Sequence, residues 1–70
     1  MNNEFIVVTE RDTESKVILS INTIMSIVET EDGKSFVETG SDKNGNPTGI
    51  FTNDTYYDIL TLLSKKILVN

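Results

Sequence analysis

The chain has 70 residues, six basic against eleven acidic side chains, a net charge of −5, and neither cysteine nor histidine. A disulfide framework, an ordinary zinc, haem or iron–sulfur site, and Ser-His-Asp or Cys-His nucleophilic machinery are thereby excluded. So short a chain forms a single domain, residues 1–70, and buries only roughly 60% of its unfolded surface, which leaves it marginal without a staple or a partner.

Phe5 to Thr9 is apolar and β-branched and predicts the first strand. Arg11 to Ser15 is charged and polar, the size of a hairpin connection, and Val17 to Ile21 predicts a second strand antiparallel to the first. Asn22-Thr23 supplies a corner, and Ile24 to Thr30 a third strand. Glu31-Asp32-Gly33-Lys34 follows, and Asp-Gly between two β-patterned runs predicts a type I′ hairpin turn into a fourth strand, Ser35 to Thr39. Gly40 to Gly49 carries glycine, Asn, Asp and the sole proline, Pro47, and reads as a loop of about ten residues, long for so small a domain. Ile50 to Thr52 is a short return strand. The remainder is helical: Tyr56, Ile59, Leu60, Leu63 and Ile67 recur at helical spacing and line one face. Thr55 with Asp58 resembles a capping box, and Asp54 and Asp58 near the start with Lys65-Lys66 near the end complement the helix dipole. The expected fold class is α+β, in the order β-β-β-β-β-α: a small, strongly curved antiparallel sheet of four to five strands with one C-terminal helix.

The N-terminus, Met1-Asn2-Asn3-Glu4, is acidic, and its apolar run Phe5 to Val8 falls short of a secretory core of about 7–15 residues or a spanning segment of about 20. A cytoplasmic protein is expected, and Asn53-Asp54-Thr55, a glycosylation triplet, carries no weight there. The acidic balance and the absence of clustered arginine argue against nucleic acid and against a membrane surface.

A half-solvated sheet alternates apolar and polar residues. Phe5 to Val8 and Val17 to Leu19 are apolar on both faces, and one helix covers only one face. Either the sheet curls into a partly closed barrel plugged by the helix, or two copies bury the second face against each other. A homo-oligomer, with a dimer favoured, is the expectation. Its interface is placed on strand residues turned away from the helix, Ile6, Val8 and Ile18, together with Leu62 and Leu68.

Three groups of residues are candidates for chemistry. Asp42, Asn44 and Asn46 place oxygen side chains at the first, third and fifth positions of a segment similar to the start of an EF-hand calcium loop. Pro47 stands where that loop needs glycine and Asn53 where it needs a bidentate glutamate, which favours a polar turn centred on Asn44-Gly45 instead. Glu29, Glu31 and Glu38 lie on or beside the third and fourth strands, with Glu29 and Glu38 as prospective cross-strand neighbours; a solvated face is the simpler reading. Tyr56 belongs to the core face of the helix, and Tyr57 points away from it.

From Val17 to Ile67 the order of features resembles the small FlbD-type proteins encoded with flagellar genes. The residues concerned are the strand ending Ile21-Asn22, then Ile24, Ile27, Glu29 and Thr30, and finally Thr55-Tyr56-Tyr57-Asp58-Ile59 opening the helix. Gly40 to Gly49 is longer than that family's turn. The resemblance implies an accessory role through protein contacts and supplies no catalytic residue. With no cofactor implied, the expected function is a non-catalytic, self-associating protein-interaction module rather than an enzyme. The alternative is a small-ligand or Ca²⁺-binding protein using the Gly40–Gly49 segment.

Overall fold

The computed structural model of the protein describes residues 4–67. The elements are β1 (Phe5–Thr9), β2 (Lys16–Ser20), a short 3-10 turn (Ile21–Thr23), β3 (Ser26–Glu29), β4 (Lys34–Ser41), β5 (Pro47–Thr55) and α1 (Tyr56–Ile67). They form the expected α+β fold. The strands fall into two antiparallel sheets, a β1-β2 hairpin and a three-stranded meander in the order β3-β4-β5. The sheets meet where Glu10 bridges Thr52 and the Arg11 N–H donates to the Phe51 carbonyl at 2.8 Å. They do not close into a barrel.

The hairpin register pairs Ile6 with Leu19, Val7 with Ile18 and Val8 with Val17. Because side chains alternate across a strand, one parity faces the helix and the other faces away. Ile6 and Val8 are 2% and 1% exposed and form the core with Ile59, joined by Val17, Leu19, Ile21, Ile24, Ile27, Leu62 and Leu63. The opposite parity, Phe5, Val7 and Ile18, is exposed. The expected interface is therefore corrected at Ile6 and Val8, which lie under the helix. Ile18 does face away from it, with 67% of its surface exposed.

Helix α1 begins where expected. The Asp58 N–H donates to Thr55 Oγ1 at 3.0 Å, the cap predicted from the sequence, and the Tyr56 N–H donates to the Gly33 carbonyl at 3.1 Å, tying the helix start to the β3-β4 turn. Its buried face is centred on Ile59, Leu62 and Leu63, while Leu60 is exposed. Residues 59, 60 and 63 and residues 59, 62 and 63 both satisfy helical spacing. In the structure the second set packs against the core, so Leu62 points inward rather than toward an interface. Leu68 lies outside the described residues. Asp54, expected to act on the helix dipole, instead accepts the Thr9 N–H at 2.7 Å and links β5 to β1.

The turns depart from expectation in an informative way. The Gly33 N–H donates to the Thr30 carbonyl at 3.0 Å and the Thr30 N–H to the Lys34 carbonyl at 3.0 Å, with Gly33 at φ 84°. Asp32 has no positive φ. This is a three-residue loop, a type I turn closed by a glycine in the left-handed region, rather than type I′. The same arrangement recurs at Asp42 to Asn46, where Gly45 takes φ 85°. The expected ten-residue loop is thus a tight turn, and its arms belong to β4 and β5, with Ser41 paired to Pro47 and Gly40 to Thr48. Between β1 and β2 the left-handed position is filled by Glu14 at φ 59°.

Candidate functional site: an aromatic face and a buried hydroxyl seam

β4 and β5 pair through Phe36 and Phe51, Val37 and Ile50, and Glu38 and Gly49. Val37 is fully buried, which sets the face of Phe36 and Phe51 as the outer one. Across β3 the same row continues to Val28, the partner of Phe36. The two rings lie 4.6 Å apart at an interplanar angle of 47°, within the range that favours aromatic pairs. Val28 and Phe51 remain 49% and 45% exposed. They border a groove of about 510 Å³ walled by Val28, Phe36, Pro47 and Phe51, with Glu29, Thr30, Glu31 and Glu38 at its rim. A second hollow of about 330 Å³ lies beside Phe51 against Arg11, Thr30, Glu31 and Asp32. The Arg11 guanidinium sits 4.5 Å from the Phe51 ring centroid, a cation–π contact of about 0.5–1 kcal/mol at an exposed site.

The three rim glutamates do not form a pair. Glu29 stands opposite Ser35 and Glu38 opposite Ser26, whose hydroxyl donates to Glu38 at 2.6 Å. The expected cross-strand approach of Glu29 and Glu38 fails because the register offsets them. The Glu29 and Glu31 carboxylates have no hydrogen bond or ion pair among the described residues. Asp32 is engaged: the Thr30 hydroxyl donates to it at 2.5 Å and the Lys34 N–H at 3.2 Å. These two donors hold its carboxyl below the usual value, the Thr30 hydroxyl contributing most.

Where the sheets join, the inner face carries hydroxyls instead of hydrocarbon. Ser35 and Thr52 are fully buried, and their hydroxyls lie 2.7 Å apart. Both reach the Asp54 carbonyl, Ser35 at 3.2 Å and Thr52 at 3.0 Å, and Thr52 Oγ1 also accepts the Asp54 N–H at 3.1 Å. The register explains the need. Lys34 pairs with Thr55 but Ser35 with Thr52, so Asn53 and Asp54 form a bulge. A bulge leaves ladder groups unpaired, and the two hydroxyls take up the Asp54 peptide groups. No buried side-chain polar atom among the described residues lacks a partner. The seam's hydroxyls are engaged with each other and with the Asp54 peptide groups, and they bind the bulge to β4.

The calcium-loop candidates take turn roles. Asp42 Oδ1 accepts the N–H groups of Asn44 and Asn46, each at 2.9 Å. Those two bonds, the Asn46 N–H first, hold the Asp42 carboxyl below its usual value. The carboxylate shapes the turn, and no cluster of three or more acidic, His or Cys side chains suited to a metal is found among the described residues. Tyr56 is half-buried and Tyr57 exposed, their rings meeting edge to face at 5.5 Å.

Sequence reasoning placed the exposed apolar surface on strands one to three and missed its continuation from Val28 onto Phe36 and Phe51. The available signal was Asp42 to Asn46. Read as a tight turn, it brings Phe36 opposite Phe51 by counting outward, with one bulge on the way. No helix among the described residues is long and apolar enough to cross a membrane. No family model, no curated protein and no solved structure matches the chain.

Proposed function

We propose that the protein is a non-catalytic, cytoplasmic interaction module that self-associates, most simply as a dimer, and works through protein contacts without a cofactor. The observation that carries this reading is the outer face of the β1-β2 hairpin. Phe5, Val7 and Ile18 present an exposed apolar row, while only four apolar residues of the described chain, Ile6, Val8, Val37 and Ile59, are fully buried. A domain with so small a core gains by covering such a row. The accessory role implied by the FlbD-type resemblance is of the same kind.

Sedimentation analysis at micromolar concentration tests the proposal. A dimer is expected, and Val7→Lys combined with Ile18→Lys converts it to a monomer that keeps the parent circular dichroism. A parent chain that sediments as a monomer, or a dimer indifferent to both substitutions, refutes it.

A further inference from the structure

We propose that the outer face of β3-β4-β5 docks an extended, lysine- or arginine-bearing peptide segment, which adds as a strand along the free edge of β3. This extends the interaction-module reading to a second surface and a different partner, and a chain that stays monomeric would still be able to bind the peptide. Three observations converge. First, β3 ends its sheet, and no strand lies on its far side among the described residues. Its outward N–H and C=O groups form the template used in β-strand addition. Second, a strand laid there would continue the row Val28-Phe36-Phe51, so one apolar side chain of the segment would enter the groove of about 510 Å³. Third, the charge around that groove is one-sided. Glu38 occupies the neighbouring outer row, opposite Ser26, about 7 Å along the strand. Glu31 lies on the other side of that row along the strand direction, in the β3-β4 turn. Glu29, the partner of inward-facing Ser35, lines the groove from the end of β3 with the opposite parity.

Glu29 and Glu31 carry no compensating partner among the described residues. The only cation lining either hollow, Arg11, lies over Phe51, so the ring already holds a guanidinium. A segment patterned cation–x–apolar–x–cation therefore meets a carboxylate at each end and hydrocarbon between them. A second copy of this chain fits poorly here, because it brings the same carboxylates and a net charge of −5.

The test uses a capped peptide built on Lys-Thr-Phe-Thr-Lys and its counterpart Glu-Thr-Phe-Thr-Glu, titrated into the full chain while backbone amide shifts are followed. The lysine peptide is expected to bind saturably, to weaken as salt rises, and to shift the amides of Ser26 to Glu29. Glu29→Gln with Glu31→Gln, both at exposed positions, is expected to weaken it about tenfold, the loss of one good contact, with unchanged circular dichroism. Phe51→Ser is expected to weaken it at least as much. Any of four results overturns the proposal: equal binding of the glutamate peptide, equal binding of a lysine peptide lacking Phe, shifts confined to the helix, or affinity indifferent to the Glu29/Glu31 pair. So does a self-association that Phe51→Ser abolishes, since the occupant would then be a second copy.

Discussion

Thr52→Val keeps the shape of a fully buried side chain and removes one oxygen. That oxygen lies 2.7 Å from Ser35 Oγ, 3.0 Å from the Asp54 carbonyl and 3.1 Å from the Asp54 N–H, which it accepts. A typical intramolecular hydrogen bond contributes a net of about 1 kcal/mol, and a buried donor left without a partner costs about 1–3 kcal/mol. The Asp54 N–H loses its acceptor in the variant, so the expected cost is about 2–3 kcal/mol. Ser35→Ala is the informative comparison. In it, Thr52 still donates to the Asp54 carbonyl and accepts the Asp54 N–H, so no peptide group is orphaned and about 1 kcal/mol is expected. The double variant should cost less than the sum of the two, because both singles remove the same Ser35–Thr52 bond. Urea unfolding followed by circular dichroism at fixed protein concentration measures all three, with equal slopes licensing the comparison. If Thr52→Val costs no more than Ser35→Ala, Thr52 is not the hub of the seam and the account of the bulge is wrong.

Gly49→Ala should prevent folding altogether: an added Cβ would stand 1.9 Å from the Val37 carbonyl oxygen and 2.9 Å from Glu38 Cα, and backbone cannot yield as a side-chain tip does. Loss of the folded amide spectrum checks it. Glu14→Gly should stabilise the β1-β2 hairpin by about 0.5–1 kcal/mol, because Glu14 sits at φ 59°, where a Cβ is disfavoured; an unchanged urea midpoint would count against strain there. Acid should weaken the two hairpin turns. The Asp32 and Asp42 carboxyls are held below the ordinary aspartate value by the donors they accept from, so their contribution is present above the unfolded value and lost as pH falls through the lower folded one. Asp32→Asn with Asp42→Asn should flatten stability against pH in that acid window, and a dependence identical to the parent's would remove both residues from the account.

Much of the fold is legible because the chain writes β-periodicity and helix-capping in separate places. Phe5 to Thr9 and the start of α1 at Tyr56 fall where the residues alone put them. What the residues alone could not supply is the orientation of each element once formed. An all-apolar run such as Phe5 to Val8 does not say which parity faces inward, so Ile6 and Val8 exchange roles with Phe5 and Val7. A helix with leucines at 60, 62 and 63 likewise does not say which way it rolls. The arms around Asp42 to Asn46 were hidden for another reason. Gly40, Pro47 and Gly49 lack strand propensity, and their pairing is held by the tight turn and a bulge, which are tertiary facts.

The two exposed faces differ in the charge that accompanies them, and that difference decides what can cover each. On the hairpin, the outward row runs Phe5, Val7 and Thr9 against Ser20, Ile18 and Lys16. It holds no carboxylate, and its one cation, Lys16, donates to Thr9 Oγ1 at 3.0 Å. A copy of the chain can approach there without setting acid against acid. On the meander, the aromatic row is bordered by Glu29, Glu31 and Glu38, and any anionic partner must desolvate or repel them. Since like charges brought together at an interface cost several kcal/mol, electrostatics places the proposed self-association and the proposed peptide docking on different faces before shape is considered. The two faces also belong to different sheets, joined at the Glu10–Thr52 bridge and the Arg11–Phe51 contacts. Arg11 directly follows the bridge residue Glu10 and lies over Phe51, which makes it the physical link between the two surfaces.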